Sequence, residues 1–571
     1  MIRIELPDLA ETRWDLLVVG GGATGLGVAL QAALEGRRVA LIEARDYACG
    51  TSSRSTKLLH GGVRYLAQGR VGLVREALRE RATVLDLAPH LAQPLPFVVA
   101  EKRWLAWAVT ALGLKAYQWL AGRYSLGASR LLSVAGLASR MPPLPGVVAG
   151  VEYWDGQFDD ARLALALART AQEAGAQMRN HTALESLHRD PDGRGWQAGV
   201  RDALTGERAT LRARAVVNAA GVWVDGVRAQ ALQQAGAAAP RPIVRPSQGV
   251  HVVVPREVLP LESAVLVPRT TDGRVLFAVP WLGSTVIGTT DTPRADAPLE
   301  PRPQAEELDF IFGEARRSLG IRLDRTQVRS VWVGLRPLVD LGGTEGGSTA
   351  QLSREHVILR EAAGFITVTG GKWTTYRSMA EDVLAELARD EAEAGVAVRP
   401  SAQTRTHRLF GAPSLSSVAS IRQAPGLHLL GTEADAVALL PGNDEALGLG
   451  LTAALVRYAA RHEQAVTVED MLARRWRMLF LDARLARRIA PRVAQILHEQ
   501  TGHDPALQAF VALCGQYVLD DGADAEAQTG ADADADADAD AGDRRAEEKT
   551  EEKASPAEAG HHENKIRGLD A

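Results

Sequence analysis

Residues 14–43 read WDLLVVGGGATGLGVALQAALEGRRVALIE, and this stretch decides the fold. "WDLLVV" has the length and apolar density of a short buried strand. "GGGATGLG" is a glycine turn, and "VALQAALEG" reads as an apolar-faced helix closed by Gly36. "RVALIE" is a second strand, so the stretch is one β-α-β unit. Gly20, Gly22 and Gly25 satisfy GxGxxG, Gly27 extends it, and Glu43 ends the second strand 18 residues past Gly25. Alone the glycine pattern says little; between a strand and a helix each part has work to do. Gly20 permits the tight turn, Gly22 lets backbone approach a pyrophosphate, and Gly25 lets the helix pack on the strand. The helix start favours a diphosphate, while the Glu43 carboxylate suits ribose hydroxyls and repels a 2′-phosphate, which disfavours NADP.

Outward from this unit, "DDARLALALARTAQEAG" reads as a helix capped by Asp159 or Asp160 and closed by Gly175. The segments "RPSQGVHVVVP", "GRVLFAVPWLGSTVIGTTD" and "VRSVWVGLRPLV" look like antiparallel strands. From about Pro400 to Asp520 the pattern turns helical, notably over "TVEDMLARRWRMLFLDARLARRIAPRVAQILHEQ". Residues 521–571 are low-complexity and acidic, and read as disordered. The whole chain of 571 residues carries a formal charge of −5. Residues 521–571 hold 16 acids and 6 bases, so residues 1–520 hold 54 acids and 59 bases. The body is therefore mildly basic, which suits anionic ligands or an anionic membrane face. A length of 571 residues suggests roughly three to four domains. No secretory signal is apparent, and Cys49 and Cys514 make no disulfide framework, so a reducing compartment is expected.

"VVNAAGVWVD" (216–225) ends a strand in small residues, including Gly221, where backbone can pack on a bound dinucleotide. "GFITVTGGKWTTYRSMAEDVL" (364–384) is again strand, glycine pair and helix. Its helix start could face the O2 edge of an isoalloxazine ring and stabilise reduced flavin. Two helix starts at opposite ends of one extended cofactor fit FAD better than NAD.

With those motifs in place, the chain resembles the FAD-dependent, quinone-linked glycerol-3-phosphate dehydrogenases. The likeness is carried by residues 18–66, "YWDGQFDDARL", "NAAGVWVD", "VPWLGSTVIGTTD", "GLRPL", "GGKWTTYR" and "VEDMLARRWRMLFLDAR", in the family's order. It implies an α/β fold: an FAD-binding Rossmann-like domain of the D-amino-acid/glycine-oxidase type, an antiparallel-sheet substrate domain and an α-helical carboxyl-terminal domain. The core would span 14–400, with FAD-binding parts at about 14–84, 151–240 and 341–395 and substrate parts at about 85–150 and 241–340. A helical cap would follow at 401–520.

The resemblance also apportions "TSSRSTKLLHGGVRYL" (51–66) between two anions, the cofactor diphosphate and a substrate phosphate. Thr51, Ser52, Ser55 and Lys57 are expected to contact FAD, together with Gly20, Gly22, Gly25, Glu43, Gly221, Gly371, Lys372 and Thr374. Arg64, Tyr65, Arg336, Arg354 and Lys372 are expected at sn-glycerol 3-phosphate, a dianion suited to forked, permanently charged donors. His251 matches a substrate-domain histidine able to take the hydroxyl proton, and Arg336 could stabilise the alkoxide. Distant relatives carry covalent flavin on histidines near the position of His60; non-covalent FAD is expected here.

The resembled family passes electrons to ubiquinone or a related quinone, which implies a cytoplasmic enzyme peripherally bound to the cytoplasmic face of the inner membrane. Two segments suit such a surface. One is the Trp-rich stretch 104–122, bearing Trp104, Trp107 and Trp119; it is also consistent with an ordinary packed helix. The other is a basic helix with Arg474, Arg475, Arg477, Arg484, Arg487, Arg488 and Arg492, which could instead pair with acids across a homodimer. The competing readings are a glycerol-3-phosphate oxidase using oxygen, a non-catalytic flavin redox sensor and an amino-acid oxidase. No nucleic-acid module and no metal-ligand pattern is present.

Overall fold

The computed structural model describes residues 1, 3–66, 69–234, 240–342, 355–397, 399–400, 404–414 and 418–519. The acidic stretch 521–571 lies outside them.

Residues 14–43 fold as their pattern dictates. The strand Arg13–Val19 runs parallel to Val39–Ile42 on one side and to Arg208–Asn218 on the other. The full order is His356–Ala362, Phe365–Gly370, Arg208–Asn218, Arg13–Val19, Val39–Ile42 and Gln177–Arg179, with the antiparallel pair Thr182–Arg189 and Trp196–Asp202 joined at Arg208–Asn218. The helix Ala23–Leu34 is buried nearly all round, between the helices Asp160–Glu173 and Tyr376–Glu393. This explains Gly27: a Cβ there would sit 2.9 Å from the Tyr376 ring. The helix Asp160–Glu173 is capped by Asp159, whose Oδ1 accepts from the Arg162 N–H at 3.1 Å. Asp160, released from capping, is free for another task.

The second sheet has ten strands and is antiparallel except where Ala264–Val267 runs parallel to Ala92–Glu101. At its centre Val244–Pro255 pairs with Ser330–Val339 and Ser284–Gly288, as the β-branched runs predict. The strand Ala149–Phe158 pairs along its length with Ala92–Glu101 in this sheet, although most of it falls in a segment expected on the nucleotide side.

The carboxyl-terminal region is helical but not one long helix. Asp470–Arg475 is a π-turn, Met478–Leu481 a single α-turn, and Ala483–Thr501 a regular helix started by the Asp482 cap. Between the first two, Arg477 adopts a left-handed φ of +56°. The apolar core of this region is continuous with the second sheet, because Val253, Trp281 and Trp332 belong to the same buried cluster as Leu472, Met478, Leu479 and Phe480.

Three of the seven arginines expected on a basic face are buried, whereas Arg484, Arg487 and Arg488 remain exposed. Arg474 and Arg475 are buried and both bond Asp46, and Arg474 also reaches Asp470 at 2.9 Å. Arg477 is buried too, while Arg492 pairs with Glu445 and Arg484 donates to the Val328 and Leu519 carbonyls. For Arg474 and Arg475 the physical reason is charge compensation by Asp46, which lies more than 400 residues away in sequence, so the pair looked unpaired.

Among the described residues no helix is long and apolar enough to cross a membrane. The helix Trp104–Ala121 nevertheless holds a row of apolar side chains in solvent. Trp104 is 63% exposed, Leu105 71%, Val109 65%, Leu112 74% and Trp119 78%. Its other side, with Leu114, Tyr117 and Ala121, is buried.

Candidate active site

A cavity of about 290 Å³ opens where the two sheets meet. The dinucleotide turn supplies Gly22, Ala23 and Thr24, and the loop after the second strand supplies Thr51, Ser52, Ser55, Thr56 and His60. Gly221 and the segment Gly370–Thr374 come from the first sheet, and His251 and Arg336 from the second.

The glycines act as their spacing suggests. Gly20 has φ +109°, and a Cβ there would lie 2.6 Å from the Ala219 carbonyl oxygen. A Cβ on Gly25 would lie 2.0 Å from the Gly20 carbonyl oxygen, so only glycine lets the helix start this close to the strand. Glu43 accepts from the Gly21 N–H at 2.6 Å and the Arg45 N–H at 3.0 Å, which fixes its carboxylate beneath the turn. The Ser52 hydroxyl accepts from the Ala23 N–H at 3.0 Å, and the Ser52 carbonyl from Trp373 Nε1 at 2.7 Å. That residue thereby ties the first helix start to the second. Thr51 bonds the Leu335 carbonyl at 2.7 Å, and Thr374 lies 3.4 Å from the His60 carbonyl. At Gly221 (φ +61°) and Gly371 (φ +72°) the backbone is left-handed. Above Gly221 a Cβ would meet nothing within 4 Å.

Lys57 departs from expectation. It does not line the cavity: its side chain is fully buried, with Nζ 2.7 Å from Asp160 and 2.8 Å from the Ser53 carbonyl. Burial pulls its pKa down to about 7, Asp160 opposes the shift, and Arg477 adds to it. Ser55 reaches the cavity, yet its hydroxyl donates to the same Asp160 carboxylate at 2.7 Å.

On the substrate-sheet side, the register sets Arg336 opposite Ser247 and Trp332 opposite His251. Cross-strand partners share a face and side chains alternate along a strand, so His251 and Arg336 emerge on one side of the sheet. Arg336 Nη2 bonds the Thr290 carbonyl at 3.0 Å and Thr289 Oγ1 at 3.2 Å, and Nη1 lies 3.3 Å from both Asp291 and the Gln248 carbonyl. His251 is 2% exposed, stacks on Trp332 with centroids 4.0 Å apart, and shares a 2.9 Å hydrogen bond between Nε2 and Thr56 Oγ1. Burial, then Lys57, then Arg336 push its pKa well below the ordinary imidazole range, so it is held neutral, as a proton acceptor must be. Sequence reasoning missed Thr56 and Trp332. The first was hidden inside the hydroxyl-rich run, and the second needed the strand register.

Lys372 sits with Nζ 3.9 Å from the Tyr65 ring centroid, and both line a second cavity of about 240 Å³ that shares Gly371 and Lys372 with the first. The side chain of Arg64 and the whole of Arg354 lie outside the described residues.

The cavity suits a flavin dinucleotide. A glycine-capped helix start, Gly22, meets it at one end with no acid in the first turn; the Lys372–Thr375 turn opens the other helix. Residues 15–377 match the FAD dependent oxidoreductase family, and residues 402–508 match the C-terminal domain of alpha-glycerophosphate oxidase. Fold and site together define an FAD-dependent oxidoreductase of the D-amino-acid-oxidase type.

The likeness narrows further. A mitochondrial glycerol-3-phosphate dehydrogenase of Arabidopsis thaliana is 38% identical over 541 residues, covering 86% of this chain and 84% of that one. The human mitochondrial enzyme is 38% identical over 533 residues, covering 86% and 71%. The glycerol-3-phosphate dehydrogenase of Bacillus halodurans, solved with FAD, superposes with a TM-score of 0.70 at 28% identity, covering 90% of this chain and 97% of that one. The chain belongs to the FAD-dependent glycerol-3-phosphate dehydrogenase family.

Proposed function

We propose that the protein oxidises sn-glycerol 3-phosphate to dihydroxyacetone phosphate and passes the electrons to a quinone at a membrane surface. The observation that carries the chemistry is the neutral, buried His251 and the fixed guanidinium of Arg336, both lining the cofactor cavity. Non-covalently bound FAD supplies the acceptor for the hydride leaving C2. His251 takes the hydroxyl proton through Nε2, with Thr56 sharing that nitrogen's hydrogen bond and fixing the ring. Arg336, held by four neighbours, keeps a permanent charge where the alkoxide develops. Lys372 on Tyr65, together with Arg64 and Arg354, receives the phosphate dianion. Thr51, Ser52, Ser55, Glu43, Thr374 and the glycines hold the dinucleotide. The division into a 14–400 core and a 401–520 cap belongs to the same reading.

The exposed row on Trp104–Ala121, flanked by the exposed Lys102, Arg103 and Arg123, supports a peripheral membrane surface. It suits a lipid-soluble quinone acceptor, and the cytoplasmic face belongs to the same proposal; a homodimer gains no support from the buried arginines. The test is anaerobic mixing with sn-glycerol 3-phosphate while following the visible flavin band. Prompt bleaching that an added quinone analogue reverses supports the whole reading. Rapid reoxidation by air with stoichiometric peroxide would make the protein an oxidase instead, and flavin that stays oxidised would refute the substrate.

A further inference from the structure

We infer that Arg477, a residue of the helical domain, is a positioning residue for His251, acting through the loop that lines the cofactor cavity. The inference rests on the reading of His251 as the proton acceptor. Arg477 is 1% exposed and stands in the left-handed region, a conformation unfavourable for a non-glycine residue. The surrounding contacts hold it there. Its guanidinium donates to the Ser53 carbonyl and the Ala473 carbonyl, each at 2.6 Å, lies 3.3 Å from Asp160 Oδ1 and stacks on Phe480 at 4.1 Å.

The same acceptors bind the loop. Lys57 Nζ donates to the Ser53 carbonyl and to Asp160, and the Ser55 N–H and hydroxyl both donate to Asp160 Oδ2. Ser53, Ser55 and Lys57 are thus tied to one buried group of two cations, Lys57 and Arg477, and two carboxylates, Asp159 and Asp160. Thr56 stands inside this fixed run, and its hydroxyl makes the 2.9 Å bond to His251 Nε2. Trp332 closes the arrangement: His251 stacks on it, and Lys57 Nζ lies 4.5 Å from the same ring. Without Arg477 the Ser53 carbonyl loses one of its two donors and the buried Asp159 and Asp160 lose a permanent cation, so the loop that presents Thr56 to the histidine is held less firmly.

The test uses the full-length, FAD-loaded protein and four variants: Arg477→Met, Arg477→Lys, Thr56→Val, and the double variant Arg477→Met/Thr56→Val. Anaerobic flavin reduction at saturating sn-glycerol 3-phosphate gives the rate constant, and flavin fluorescence gives FAD affinity. Arg477→Met and Thr56→Val should each slow reduction about 10- to 100-fold, with Arg477→Lys recovering part of the loss. Because both break one hydrogen bond, the double variant should be no slower than Arg477→Met alone. FAD affinity should fall further in Arg477→Met than in Thr56→Val. An Arg477→Met protein that is less stable yet reduces at the wild-type rate overturns the inference, as do losses that multiply in the double variant. Should Arg477→Met not fold, Arg477→Lys with Thr56→Val completes the same cycle. A wild-type flavin that sn-glycerol 3-phosphate does not reduce is the separate failure of the functional reading.

Discussion

The double variant Leu112→Asp/Trp119→Asp is expected to detach the protein from lipid while leaving its chemistry intact. Leu112 is 74% exposed and Trp119 78%, so each has about three-quarters of its surface to bury in an interface. Full burial of such a side chain is worth about 1.5–3 kcal/mol, so the available part is about 1–2 kcal/mol apiece. Replacing both forfeits about 2–4 kcal/mol, or about 30- to 1000-fold in partitioning, before the added carboxylates are counted. Co-sedimentation with vesicles containing anionic lipid measures this directly, and raising salt should weaken wild-type binding through Lys102, Arg103 and Arg123. Flavin reduction by soluble substrate serves as the control, because neither side chain lines the cofactor cavity. A change in partitioning below about threefold would refute the reasoning that this row is a docking face. So would a loss of reduction that accompanies detachment.

Three further outcomes are expected. Asp46→Asn strips the shared carboxylate from the buried Arg474 and Arg475, and should cost about 3–5 kcal/mol, read as a lower midpoint in thermal unfolding and easier FAD release; an unchanged midpoint would count against that clamp. Gly25→Ala forces a Cβ to within 2.0 Å of the Gly20 carbonyl, so FAD affinity measured by fluorescence titration should drop by about tenfold or more, and retained affinity would contradict the packing. Because His251 is depressed below the ordinary imidazole pKa of about 6.5, kcat/KM should hold steady as pH falls through that value and decline only in more acidic solution; an acidic limb at or above it would remove His251 as the free enzyme's base.

What could be read from the chain was the part encoded locally. The glycine turn, the helix after it and the β-branched strands are each dictated within a dozen residues, and their pairing followed. His251 and Arg336 were reached through motifs, and the register then explained why they share a face. Lys57 was misjudged because a lysine among hydroxyls looks like a ligand contact, whereas its partner Asp160 is 103 residues away. Arg474 and Arg475 were misjudged for the same reason, since Asp46 lies more than 400 residues before them. Thr56 carried no signal of its own; only the fold brings it to a histidine 195 residues downstream.

The order in which the chain is made gives the buried Arg477 contact a further meaning. The dinucleotide turn is made well before the rest of its own site: the second helix start at Trp373 follows Ser52 by 321 residues, and the guanidinium on Ser53 follows that residue by 424. On a ribosome, therefore, the nascent amino-terminal half has a phosphate-binding turn and no enclosed place for a flavin. Cofactor capture becomes a late event of biogenesis, and a chain truncated before Arg477 is expected to emerge as apoprotein.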